Sequence, residues 1–148
     1  MVTPKPATAK TPIPEPATQP EPAAAQCGKA DLATLPGGFA ALRKAAVACG
    51  AAVSADDMFS LLESAVSAGD GEALLVMGKL YDPTAQDPDF EGIAALTLGD
   101  QPAQAAEYHS RAKTAGAAGA LPLLAAACLR LATANEVLSE GAHDDFCR

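Results

Sequence analysis

Tryptophan is absent from this 148-residue chain, and aromatic residues make up only 4% of it. About half of the residues are apolar, but most of that half is alanine. Large side chains able to fill a thick interior are therefore scarce. Helices that bury mainly methyl groups must approach closely, which favours a thin two-layer helical stack over a deep core. Cations are also in short supply. Ten Lys and Arg are scattered among eighteen Asp and Glu, giving a net charge of −8 and a pI of about 4.5. Neutralising a phosphate backbone takes clustered Lys and Arg. Nucleic acid is thus excluded as a partner, and docking on an anionic membrane surface is disfavoured. The negative charge mainly serves solubility.

No run of eighteen apolar residues occurs, so direct insertion into a membrane as a helix is not expected. The first ten residues, MVTPKPATAK, lack the apolar centre of a signal peptide. Two histidines and no CxxC pair argue against structural zinc. His143 with Asp144 and Asp145 would make at most half of a metal site. His109 lies beside Glu107, Tyr108 and Ser110, yet Ser110 points elsewhere on the helix, so no nucleophile and orienting acid converge on the imidazole. It reads as a surface or packing residue. The motifs of P-loops, dinucleotide sites, serine hydrolases and zinc proteases are all missing. No catalytic residue, cofactor or metal is assigned, and the chain is not expected to be an enzyme.

Proline is what the first part of the chain has in excess: Pro4, Pro6, Pro12, Pro14, Pro16, Pro20 and Pro22 fall within the first 26 residues. Proline fixes φ, removes backbone donors and keeps the chain extended. A disordered, semi-rigid linker is predicted over 1–26, followed by a helical domain over 27–148. No Arg-flanked PxxP motif marks a ligand for an SH3-type domain, so a spacer is the simpler reading. A linker implies something on its far side, which makes a longer, membrane-anchored chain a natural setting.

After a Leu35–Gly38 turn, Phe39, Leu42, Ala46 and Cys49 recur at helical spacing, and Gly50 ends that helix. Ser54 is a good N-cap for a second helix running to about Ala68, with Met58, Leu61, Leu62, Ala65 and Val66 as its stripe. Asp70 caps a third, Gly71 to Tyr81, whose inward face is Ala73, Leu74, Met77, Gly78 and Tyr81. Residues 82–99 read as a long loop in which Phe90, Ile93, Leu96 and Leu98 hold something down, with room for a short turn of helix. Its acids, Asp82, Asp87, Asp89 and Glu91, lack the spacing of a calcium loop and read as solvated. Asp100 is the expected N-cap of a fourth helix, on which Ala105, Tyr108, Ala112 and Ala115 share a face. A fifth is predicted over Ala117 to Thr133 with Leu121, Leu124, Ala125, Cys128 and Leu131 buried, Pro122 delaying or bending its start. A short sixth starts at Glu136.

Four cysteines, Cys27, Cys49, Cys128 and Cys147, flank this helical part. Two disulfides fit an oxidising compartment; four partly buried free thiols fit a cytosolic one. Local pairs, Cys27 with Cys49 and Cys128 with Cys147, would tie each end to its nearest long helix, though four cysteines allow three connectivities.

The chain repeats itself. Shifted by 47 residues, Ala65 falls on Ala112, Gly69 on Gly116, Ala73 on Ala120, Leu74 on Leu121, Met77 on Leu124 and Gly78 on Ala125. A fixed-offset match of this kind is the mark of a helical array. Ala73, Met77, Gly78 and Tyr81 follow the pattern A-x-x-x-L-G-x-x-Y. Ala105, Tyr108, Arg111, Ala112 and Gly116 follow A-x-x-Y-Y-x-K-A-A-x-x-G, with His109 and Lys113 as departures. Ala120, Leu124, Ala125 and Cys128 begin the next copy, with Ala125 in place of Gly and Cys128 in place of Tyr. In these positions the chain resembles the Sel1-like repeat, a relative of the tetratricopeptide repeat. The glycine-rich loop of that repeat is missing and a longer insert, residues 82–99, takes its place.

The resemblance implies an all-α fold, a short superhelix of antiparallel helix pairs. It implies a protein-binding scaffold without catalytic residues, whose matched positions serve packing. Its partner would be an unidentified protein, in the bacterial periplasm or cell envelope if the thiols are paired. The alternative is an accessory or inhibitor-like domain of an enzyme whose catalytic part lies beyond the linker. A hydrolase of unknown type has the least support.

Overall fold

The computed structural model describes residues 2–4, 26–94 and 96–148. The expected linker over 1–26 therefore lies almost wholly outside the described residues. The described residues form helices and no strand. In chain order these are α1 (Lys29–Ala33), α2 (Gly38–Cys49), a 3-10 turn (Gly50–Ala52), α3 (Ala55–Ser67), α4 (Gly71–Leu80), α5 (Pro88–Ala94), α6 (Pro102–Thr114), α7 (Ala120–Thr133) and α8 (Val137–Phe146).

Helix α3 starts where its cap predicts: the Ser54 side chain accepts from Asp57 N at 3.1 Å. Met58, Leu61, Leu62 and Val66 are buried. Asp70 does more than cap α4. One carboxylate oxygen accepts from Ala73 N at 3.0 Å, and the other accepts from Phe39 N in the first turn of α2 at 2.9 Å. One side chain thus satisfies free amides of two helices and fixes the angle between them. Seven of the ten residues of α4 are buried, Ala73, Leu74, Leu75, Val76, Met77, Gly78 and Leu80, and Glu72 and Lys79 lie along a partly exposed edge. A helix buried over so much of its surface is a central one. Here α2, α3 and α6 surround it.

The 47-residue shift extends to the geometry. Helices α3 and α6 each have 13 residues, and both their first and last positions differ by 47. Both end in a Schellman turn. In α3, Ala68 N donates to Ser64 O, Gly69 N to Val66 O and Asp70 N to Ala65 O. In α6, Ala115 N donates to Arg111 O, Gly116 N to Lys113 O and Ala117 N to Ala112 O, three bonds in the same register. Gly69 and Gly116 have φ of +78° and +79°, where a side chain would be strained. The two turns also touch. A methyl group on Gly71 would lie 3.2 Å from Ala117 Cβ.

Several expectations need correction. The N-terminal approach contains a short helix, α1, whose Leu32 is buried. The short turn of helix allowed for in the segment 82–99 is two turns long, α5, with Phe90 and Ala94 buried against α2 and α3. Asp100 does not cap α6. That helix has Pro102 in its first turn and Gln101 as its capping residue, and a proline there needs no acceptor. Helix α7 begins at Ala120 and not at Ala117, after Gly119 at φ +84°. The delay places Pro122 within the first turn, where its missing N–H costs nothing.

The buried stripe of α7 is also rotated from expectation. Ala120, Leu124, Ala127 and Leu131 face inward. Leu121 is 61% exposed, Ala125 is exposed and Cys128 only half-buried. On α6, Ala115 is exposed, Tyr108 is half-buried, and His109 takes an inward position beside Ala105, Ala106 and Ala112.

Candidate functional site: the α4–α6 crossing and the charged ties around it

The small residues singled out in the sequence meet where α4 crosses α6. Gly78 lies directly under the His109 ring. A Cβ on Gly78 would sit 2.5 Å from Cε1 and 2.6 Å from Nδ1, closer than atoms can stand. Tyr81, just beyond the end of α4, stacks on Tyr108 of α6 with centroids 5.7 Å apart and planes within 4°. The Arg111 guanidinium lies 5.3 Å from the Tyr108 ring centre, within cation–π range. Ala73, Met77, Ala112 and Ala120 belong to the main core, and Ala105 and Leu124 to a smaller one that also includes Ala127 and Leu131. Tyr81 borders both cores. Gly116 lies apart in its turn, with nothing within 4 Å of where a Cβ would stand.

His109 is fully buried, and neither ring nitrogen has a hydrogen-bond partner. Burial pushes its pKa down to about 4; the Asp82 carboxylate pulls it upward and the Lys79 ammonium pushes it further down. The imidazole is therefore neutral at pH 7, a packing group on the glycine surface of α4. It has no nucleophile to activate.

Two acids expected to be solvated are buried instead. Asp82 ends α4, and its Oδ1 accepts from Thr84 N at 2.9 Å, Thr84 Oγ1 at 2.6 Å and Arg130 Nη1 at 2.9 Å. Arg130, from α7, also donates to Asp100. This one guanidinium ties α7 to both ends of the segment 82–100. Asp87 caps α5 by accepting from Phe90 N at 3.1 Å. It also accepts from Arg43 Nη2 of α2 at 2.6 Å and Lys79 Nζ of α4 at 3.4 Å. Arg43 reaches Glu72 as well, at 2.9 Å. Removing one partner from such a buried pair leaves an uncompensated charge and costs several kcal/mol, roughly 3–5. These carboxylates are committed to holding the insert down. Asp89 also pairs with Arg43, at 3.6 Å, and among the described residues no three His, Cys, Asp or Glu gather as metal ligands. Asp144 makes an ion pair with Arg148 at 2.8 Å.

Each end of the domain carries a covalent tie. Cys27 is joined to Cys49 and Cys128 to Cys147, with Cα atoms 5.8 and 5.6 Å apart. The first bond anchors the N-terminal approach to the end of α2, and the second anchors the end of α8 to α7. Closing loops of this size contributes about 3 kcal/mol each. Beside the first lies an apolar groove of about 740 Å³ lined by Leu35, Pro36, Ala41, Ala45 and Ala48.

Gly78 and its Tyr partners are legible in sequence through the repeat. His109, Asp82, Asp87, Arg43 and Arg130 are not, because each depends on a partner far along the chain. The one available signal is the pairing of Asp with an early Thr or Phe amide, as at Asp82–Thr84 and Asp87–Phe90, which marks a side chain folded onto its own backbone. Among the described residues no helix is long and apolar enough to cross a membrane. No family model, curated protein or solved structure matches the chain.

Proposed function

We propose that this chain is a non-catalytic protein-interaction scaffold built on two degenerate Sel1-like repeats. It works in an oxidising compartment, the bacterial periplasm or cell envelope, and is held by its Pro-rich linker to a longer, membrane-anchored chain. The observation that carries the proposal is the 47-residue register. Equal helices, α3 and α6, end in the same three hydrogen bonds, and their turns lie side by side. Repeated units that cannot each close a core, and that stack on their neighbours, are how helical arrays work.

The distribution of polar chemistry favours a scaffold over an active site. Asp70, Asp82, Asp87, Arg43 and Arg130 are spent on ties between elements. His109 is neutral and sealed. The repeat positions serve packing, so recognition falls to outward residues and to the segment 82–100, which interrupts the register. Paired cysteines at both ends fit an oxidising setting.

The test uses the full chain with its disulfides intact as an immobilised bait. A specific protein is expected to be retained, to bind in calorimetry as a purified component at a fixed stoichiometry, and to be lost when the disulfides are reduced. Failure to find any stoichiometric protein partner, together with turnover of a small molecule by the chain, would overturn the proposal.

A further inference from the structure

The outer side of α7 is apolar and open. Leu121 and Leu129 are 61% and 68% exposed. Ala125 stands between them, and Pro122 and Ala126 beside them; all three are exposed. The same positions on α4 are covered. Leu74, the counterpart of Leu121, is 2% exposed and lies beside Ser110, Arg111 and Thr114 of α6. Gly78, the counterpart of Ala125, lies under His109. Two other counterparts are buried alike in both helices, Ala73 and Ala120, Met77 and Leu124, whereas Pro122 and Leu129 are exposed where their counterparts Leu75 and Asp82 are buried. Leu74 and Gly78, whose counterparts Leu121 and Ala125 are open, are positions at which α4 receives α6. Helix α7 therefore presents a helix-accepting face with no helix on it.

We propose that this face is covered by α7 of a second copy of the chain, antiparallel across a two-fold axis at Ala125. Three features select that occupant. The stripe reads Leu, Ala, Leu at four-residue steps in both directions, so an antiparallel copy sets Leu121 beside the second copy's Leu129. A two-fold interface requires this kind of self-complementarity. The residue at the axis carries only a methyl group, so the helices close to the short end of the usual range, about 8 Å. The third feature is charge. Arg130 is the only charged residue of α7, and its guanidinium is held by Asp82 and Asp100. The face has no charge to desolvate and none to repel its copy, although the chain carries −8. A partner chosen by charge finds nothing to read there. Val137 and Leu138, 84% and 83% exposed at the α7–α8 corner, extend the contact toward the start of the second copy's α7. One helix pair lies at the small end of interface sizes, so the expected dissociation constant is of micromolar order.

Sedimentation velocity of the full, oxidised chain over a broad concentration range tests this. A monomer–dimer equilibrium is expected. Leu121→Asp and Leu129→Asp should each weaken it by about tenfold or more, because each buries an unpaired carboxylate. Both sites are exposed in the monomer, so circular dichroism and thermal unfolding of the dilute protein should not change. All four cysteines are in disulfides, so Ala125→Cys supplies one free thiol at the proposed axis. It should oxidise to a covalent dimer, whereas Ser67→Cys, exposed on α3, should not. A chain that stays monomeric at every concentration overturns the proposal. So does a dimer indifferent to both Asp substitutions, or one that leaves Ala125→Cys uncross-linked. A monomer that loses a different protein on Leu121→Asp also overturns it, and assigns the face to that protein's helix.

Discussion

Helices α4 and α7 occupy the same register and have opposite surroundings. Both begin after a Schellman turn, both are rich in Ala and Leu, and both bury the residues at the first and fifth matched positions, Ala73 and Met77 in α4, Ala120 and Leu124 in α7. Yet α4 leaves only Gly71, Glu72 and Lys79 partly exposed, and α7 leaves Leu121, Ala125 and Leu129 open. The difference comes from the neighbours. Helix α4 packs against α6, α2 and α3, whereas α7 packs mainly against α6 and α8. Burial of an apolar helix is thus decided by the helices stacked after it as much as by its own pattern. The face of α7 left open is the one whose counterpart on α4 is covered by α6.

The sharpest way to break that comparison is to enlarge the small residue at each matched position. Gly78→Leu drives a whole side chain into the rigid His109 ring, where even a methyl has no room. The loss should be about 3 kcal/mol, the upper end of the usual range for overpacking, because the His109 ring stands closer to the new Cβ than contact allows. Ala125→Leu, in protein dilute enough to be monomeric, should change stability by less than about 0.5 kcal/mol, as exposed substitutions do. Urea unfolding of both variants reads the contrast. Similar losses at the two sites would mean that α7 is as enclosed as α4.

The range of each interaction decides how much of it is visible in sequence. Helix α3 is legible because Ser54, its acidic first turn and its apolar stripe are local signals that agree. The glycine turns are legible because only glycine tolerates φ near +80° at no cost. The orientation of α7 is not. In ALPLLAAACLRLAT a single charged residue marks an outside, and alanine fits either side, so the period fails to fix the phase. The burial of Asp82 and Asp87 is hidden for a different reason. Their cations, Arg130 and Arg43, lie 48 and 44 residues away, and no periodic pattern links them. The same holds for the second duty of Asp70, whose bond to Phe39 N spans 31 residues. In the segment 82–99, two prolines suggest a loop, whereas Pro88 opens α5 at a position where proline is favoured.

A smaller effect sharpens the contrast between a sealed crossing and an open face. The α4–α6 crossing holds a neutral imidazole with a pKa of about 4, against about 6.5 in the unfolded chain. The unfolded state therefore binds the extra proton first. The stabilising contribution is fully present above about pH 6.5 and is lost as the pH falls toward 4. Between pH 7 and 4.5 the linkage amounts to about 2 kcal/mol. His109→Met keeps an apolar group of adaptable shape on Gly78 and removes the titration. The difference in stability between variant and parent should grow by that amount across this range, in favour of the variant. Carboxylates titrating in both proteins cancel in the difference. An equal acid-side loss in both would show that the imidazole is not held neutral.

The smallest effect bears on the turns that set the two helices in register. Gly69 and Gly116 have nearly the same φ, and a Cβ at either would meet nothing within 4 Å. Replacement by alanine is then a backbone effect alone. It sets left-handed strain of about 1–2 kcal/mol against the benefit of a less flexible unfolded chain, leaving a net loss of about 1 kcal/mol. The two substitutions should cost the same within error and should add in the double variant, since neither side chain touches a shared neighbour. Asparagine, which tolerates this conformation better, should recover part of the loss at both sites. Thermal unfolding of these variants beside the parent gives the comparison. Unequal losses would mean that the two turns, alike in their hydrogen bonds, are held by different surroundings, and that the resemblance of α4 to α7 stops at the helix itself.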